Sequence, residues 1–293
     1  MSGLPDHSKG LLITLVAVLF VVPDSLFIRL LDAPALEISF WRSLTCGLLL
    51  LGYVLPAYGV AAIKQSFSGG VASLIYLITM GSTGGLFTFA VSNTSVANVV
   101  FILASMPVFS ALISRVFLGE PLRLRMMLTM VAVFVGLAII AYGSGETEGA
   151  GLVGDAYAAT ASLFFAVALT AARKLRNVSM VPMLPIAYLL AAIVLWPIVS
   201  PMVLPSEQLY IAWLHGVFIA ISSIGLALGP RYIPSAEVAL LLLLESVLAP
   251  LLVWYALGED PGPYTLLGGA VVIGALAVSN AVLLLRARRT GKA

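Results

Sequence analysis

Charge is what this chain has least of. Lys, Arg, Asp and Glu make up 10% of its 293 residues, 61% are hydrophobic, and the mean hydropathy is +1.11. A soluble domain carries about 25% charged residues, so a water-facing surface is excluded for a chain of this length. Cysteine occurs once, at Cys46, which rules out an intramolecular disulfide and leaves a thiolate metal site unsupported. Histidine occurs twice, at His7 and His215, which removes HExxH chemistry and most zinc-enzyme ligand sets. No Walker-type phosphate loop is present, which argues against ATP hydrolysis within the chain. No series of alternating ten-residue strands points to a membrane barrel. No catalytic group, metal or cofactor is implied, and nothing suggests nucleic-acid recognition.

What the sequence does contain is one apolar run after another, each near the roughly 20 residues that cross a bilayer as helix. Helices satisfy their own backbone hydrogen bonds in lipid, and the expected fold is an all-α integral membrane bundle. Ten transmembrane spans are predicted at 9–31, 35–56, 70–91, 94–117, 124–143, 153–174, 182–203, 209–229, 233–257 and 264–285. The loops between them are short, so function falls to the helices and their ends. Ala33-Pro34-Ala35 mimics a signal-peptide cleavage site, but the first span is long and carries Asp24 and Arg29, so it is read as a span that is kept.

Basic residues orient the bundle. With the N-terminus in the cytoplasm, all Lys and Arg except Arg29 and Arg42 fall on the cytoplasmic side, while Glu146, Glu148, Glu207, Glu259 and Asp260 fall on the other, as the positive-inside rule expects. Both termini are therefore expected in the cytoplasm. The two halves also echo one another: SVANVVFILASMPVFSALISRVFLGEP (95–121) and SAEVALLLLLESVLAPLLVWYALGEDP (235–261) each open on Ser and close on Leu-Gly-Glu before a proline. Five spans per half invert the second copy, which predicts two inverted-topology repeats, 1–145 and 146–293 with its basic tail. Such repeats bind solute near the midplane and alternate access around it.

On these segments the chain resembles the drug/metabolite transporter superfamily in its ten-helix EamA-type branch. GDAYAATASLFFAVALTAARKLRN (154–177) resembles the opening helix of that family's second repeat, and ALGPRYIPSAEVALLLLLES with LGEDP is similar to its ninth helix. Two departures stand out. Ser246 occupies the place where the family usually has proline, with Pro250 one turn later, and Val22-Pro23-Asp24 replaces a Trp-Gly-Ser-like stretch. The resemblance implies export or exchange of small polar metabolites, with amino-acid efflux the best-represented activity.

Glu245 is the leading candidate site residue. It lies about 12 residues into span nine, roughly 18 Å along the helix axis, where a carboxylate facing lipid is costly. It is expected to face the interior and bind a substrate ammonium or a proton, against the alternative of a buried structural hydrogen bond. Met106 is its repeat counterpart, and Ser246 adjoins it. Asp24 and Arg42 sit at similar depths on adjacent antiparallel spans and can pair, either as a structural bridge or as a substrate contact; Pro23 is positioned to kink span one. Tyr76, Phe101 and Phe165 are candidate cavity aromatics, with core packing as the competing reading, as it is for Trp41 and Trp213. Glu237 and its counterpart Asn98 are read as gate or structural residues, Asp155 as a helix-start stabiliser, His215 as packing, and the small residues 80–85 as close helix contacts.

The sequence thus predicts a secondary transporter that exports small metabolites, neutral or aromatic amino acids foremost, by alternating access. A bacterial inner membrane is the expected location, surrounding lipid and the solute the expected partners, and a monomer the simplest unit. Drugs, nucleobases and nucleotide sugars are alternative solutes. An intramembrane lipid-modifying enzyme is the alternative of a different class, and the shortage of His and Cys argues against it.

Overall fold

The computed structural model describes residues 6–118, 124–143, 151–175, 178–200, 203–229, 232 and 235–289. Twelve helices follow in order: α1 (Asp6–Val21), α2 (Asp24–Leu30), α3 (Ala35–Ser66), α4 (Val71–Asn93), α5 (Val96–Leu103), α6 (Met106–Leu118), α7 (Leu124–Gly143), α8 (Leu152–Lys174), α9 (Leu184–Leu195), α10 (Leu209–Leu228), α11 (Ser235–Leu257) and α12 (Pro263–Arg289). Two pairs, α1 with α2 and α5 with α6, are single spans broken in mid-course, which leaves ten membrane elements. Among the described residues seven spans are long and apolar enough to cross a bilayer, and shorter apolar helices cover Met127–Gly143, Leu244–Leu257 and Pro263–Ala275.

The departures from the predicted spans have backbone causes. Pro23 has no amide hydrogen, so the α1 ladder ends with Val22 N–H on Val18 O at 3.1 Å and restarts with Phe27 N–H on Pro23 O at 2.9 Å. Span four was expected to be continuous, but it breaks at Ala104 and Ser105, immediately before Met106 and Pro107. In the second repeat Ser246 takes the place of that proline, and α11 runs unbroken through it. The second span was predicted to stop at 56; its helix continues to Ser66 and bends at Gly59, whose φ of 73° is open chiefly to glycine. The seventh span is shorter than expected as an α-helix, because tight three-residue turns at Val181–Met183 and Trp196–Ile198 bracket α9.

Helix pairing shows the duplication. α4 packs on α8 and α1 on α10, α3 packs on α9, α7 on α12, and α5 on α11. Counting spans one to ten, exchange of each with the span five further on maps this set onto itself. The inversion is visible directly: Val96, at the start of α5, donates its N–H to Glu259, just beyond the end of α11, at 2.6 Å. Opposite ends of equivalent helices therefore meet at one face. That face also carries the turns at 31–34 and 258–262, and is called distal because α1 begins and α12 ends at the other.

Close approach relies on missing side chains. Gly136 and Gly268 face one another across α7 and α12, where a Cβ on either would stand 2.8 and 2.6 Å from the other's carbonyl oxygen. Outward-facing Leu, Val and Phe side chains, among them Val116 and Phe117, cover the perimeter, as lipid contact requires.

Candidate functional site

The break at Pro23 puts Asp24 in the first turn of α2, 3% exposed, facing α3 and α10. Arg42 of α3 donates to both of its oxygens, Nε to Oδ1 at 3.1 Å and Nη2 to Oδ2 at 2.7 Å. His215 of α10 places Nε2 2.6 Å from the same Oδ1. Arg42 is 6% exposed and His215 0%. Burying opposite charges is tolerable only when they pair and hydrogen-bond this closely. Because Asp24 accepts from Arg42 as a carboxylate, His215 Nε2 faces it as the hydrogen-bond donor.

Neighbouring residues shape this cluster. Phe27 stacks on the His215 ring at 5.3 Å between centroids. Gly216 lets α3 press against α10, since a Cβ there would stand 2.6 Å from Thr45 Cβ. Gly84 leaves space for the Arg42 guanidinium, which a Cβ would strike, so this member of the 80–85 stretch does more than bring helices together. Tyr188 lies beside Gly84, and its hydroxyl is 3.1 Å from Ser223 Oγ. Arg42 Nη1 and His215 Nδ1 are buried without a hydrogen-bond partner among the described residues.

Glu245 is half-buried on α11. It has no hydrogen-bond or ion-pair partner among the described residues, and it is close enough to Asp24 and Arg42 to feel both charges. Ser246 is buried and donates to Val100 O at 3.2 Å, which joins α11 to α5. Tyr76 and Phe165 pack in one cluster with Tyr188 and therefore stand on the Arg42 side. Phe101 is not gathered with them, since its ring lies against Gly269 of α12. Met106 is buried at the start of α6. The Glu237 side chain lies outside the described residues.

The sequence reading took His215 as a packing or interface residue; its ring does stack on Phe27, and the structure adds a polar contact to Asp24 that the sequence did not suggest. A signal was available. His215 sits about as deep from the distal face as Asp24 and Arg42, but an isolated histidine carries no spacing pattern.

A second polar cluster ties the distal face together. Arg29 Nε is 3.0 Å from Glu259 Oε2, and Arg29 Nη2 donates to Thr94 O at 2.8 Å. Asp155 Oδ1 accepts from Thr94 Oγ1 at 2.8 Å and from Asn98 Nδ2 at 3.1 Å, and Thr265 Oγ1 donates to Asn98 Oδ1 at 2.6 Å. Asp155 does lie in the first turn of α8, yet it is also the link from that helix to α5. Asp32 N–H donates to Gln208 Oε1 at 2.8 Å across the same face. Among the described residues no three His, Cys, Asp or Glu side chains form a set able to hold a metal.

Comparison with known proteins agrees with this architecture. The EamA-like transporter family matches residues 8–142 and 152–281, one match in each half. No curated protein matches the chain. One solved crystal structure superposes with a TM-score of 0.67 over 94% of this chain and 98% of its own, at 18% identity, a likeness that shows the fold. With the family matched over nearly the whole sequence in two repeats, the chain belongs to the EamA-like transporter family.

Proposed function

We propose that this small-solute membrane transporter exports zwitterionic metabolites, neutral or aromatic amino acids foremost, by alternating access between repeats 1–145 and 146–293. The observation that carries the reading is Glu245: a half-buried carboxylate in a membrane-spanning helix, with no hydrogen-bond or ion-pair partner among the described residues, within electrostatic reach of the buried Asp24–Arg42 pair. An unpaired carboxylate at that depth is costly unless a ligand or water meets it. A substrate ammonium is the natural complement. Arg42 Nη1, buried and unpartnered, is a donor available to the substrate carboxylate, and the Tyr76, Tyr188 and Phe165 cluster offers an apolar surface for its side chain. The function is transport without chemical change, by a monomer in a bacterial inner membrane with both termini cytoplasmic.

A second reading is favoured by charge. Asp24 and Arg42 cancel, so beside a neutral His215 an ionised Glu245 would leave the cluster with one net negative charge, which suits an organic amine lacking a carboxylate. Counterflow in proteoliposomes separates the two. Tryptophan, phenylalanine and leucine are each set beside their decarboxylated amines, with wild type beside Glu245→Gln. Selective exchange of the amino acids, lost in Glu245→Gln, supports the proposal. Exchange of the amines alone replaces it with the second reading, and exchange of neither rejects both.

A further inference from the structure

Arg29 is one of two basic residues on the side otherwise free of them, and the Asp24 cluster does not use it. From its contacts we infer that Arg29 and Glu259 form the distal gate of the transport pathway. This goes beyond the choice of solute and rests only on the chain being a transporter.

Arg29 ends α2 in the first repeat, and Glu259 lies in the turn after α11 in the second, following Gly258 at φ 73°. Their 3.0 Å ion pair therefore spans the two repeats. Each residue also holds the segment that begins α5: Arg29 takes the Thr94 carbonyl, and Glu259 takes the Val96 amide, one of the helix-start N–H groups that no helical carbonyl satisfies. A carboxylate at that end also gains from the helix dipole.

The three elements joined are the same three that meet deeper in the membrane. Val22 before α2, Val100 on α5 and Ala249 on α11 pack together, and Ser246 bonds Val100 O. The clamp therefore lies on the distal side of the seam where α2, α5 and α11, the helix that carries Glu245, pack together. Thr94 and Asn98 are bonded in turn to Asp155 of α8, and Asn98 to Thr265 of α12, so α5 is fastened to the second repeat. At the distal end, Arg29 joins α2 to this assembly through both Thr94 and Glu259. Opening the distal face requires α2 to part from α5 and α11, and that motion breaks both Arg29 contacts together. The side chains are 25% and 23% exposed, wet enough for a contact that is broken and remade in each cycle, since such pairs are individually weak.

Accessibility labelling tests the gate without a substrate. In a Cys46→Ser chain, Glu245→Cys reports the interior, and Glu207→Cys in a parallel sample identifies which side of the vesicle is distal. A membrane-impermeant maleimide is applied from each side in turn. Arg29→Ala and Glu259→Gln should speed labelling from the distal side about three- to tenfold and slow it, or leave it unchanged, from the other side, because populations of two states trade against each other. Arg29→Lys, which keeps one charged donor, should fall between. An unchanged distal rate overturns the proposal. So does a rise from both sides together, which is what general loosening or unfolding of the bundle would give.

Discussion

His215 and Arg42 share one oxygen of Asp24: Nε2 of the first lies 2.6 Å and Nε of the second 3.1 Å from Oδ1. The carboxylate thereby pins α2, α3 and α10 at one depth, and its proline break is what lets it reach both. The cluster is internally satisfied except at Arg42 Nη1 and His215 Nδ1, and buried polar atoms left in that state invite a ligand or water.

Removing one charge of this pair should cost far more than removing both. Arg42→Met leaves the buried Asp24 carboxylate without its counter-charge and is expected to lower stability by about 3–5 kcal/mol. Asp24→Leu with Arg42→Met leaves only the His215 donor unpaired and should recover more than half of that loss. Thermal unfolding of the purified variants in one detergent measures both, and additive losses would contradict a coupled pair.

His215 offers a milder test of the same cluster. His215→Gln keeps an amide N–H that can reach Asp24 and should cost under about 1 kcal/mol, whereas His215→Phe removes the donor and should cost about 1–3 kcal/mol. Equal losses in the two variants, read from the same unfolding curves, would assign His215 to ring packing on Phe27 alone.

Gly84 and Gly85 are neighbours in sequence with opposite surroundings. A Cβ at Gly84 meets the Arg42 guanidinium, and one at Gly85 meets nothing within 4 Å. Gly84→Ala should therefore destabilise by about 1–3 kcal/mol as Arg42 is pushed aside. Gly85→Ala should be neutral or stabilising by a few tenths of a kcal/mol through its helix propensity. A reversed order in melting temperature would mean that Arg42 has room to move.

Much of this architecture is legible from the residues. Apolar run length gives the ten elements, and the paired Leu-Gly-Glu segments give the inverted duplication. Equal depth on antiparallel neighbours brings Asp24 and Arg42 within reach. The break in span four was less visible, although Pro107 stood in the sequence: Pro250 is held inside α11 without a break of that kind, so proline alone does not decide. Arg29 appears in the sequence only as an exception to the charge rule and Glu259 only as part of a repeat. Their meeting is a tertiary fact that neither local pattern encodes. His215 was missed for the same reason, since the partner that gives it meaning lies on another helix.

Glu245 should separate function from folding more cleanly than any other position. It makes no hydrogen bond or ion pair among the described residues, so Glu245→Gln removes a charge without stranding a partner, and stability should stay within about 0.5 kcal/mol of wild type or rise. If the carboxylate holds the substrate ammonium, exchange of amino acids should fall at least about tenfold in the same protein, the effect expected when a charge-assisted hydrogen bond of about 1.5–3 kcal/mol is weakened. Melting temperature and counterflow are measured on one preparation. A large loss of stability with exchange intact would make Glu245 a structural residue, and its half-buried place beside Arg42 would then need a partner within the bundle rather than a solute.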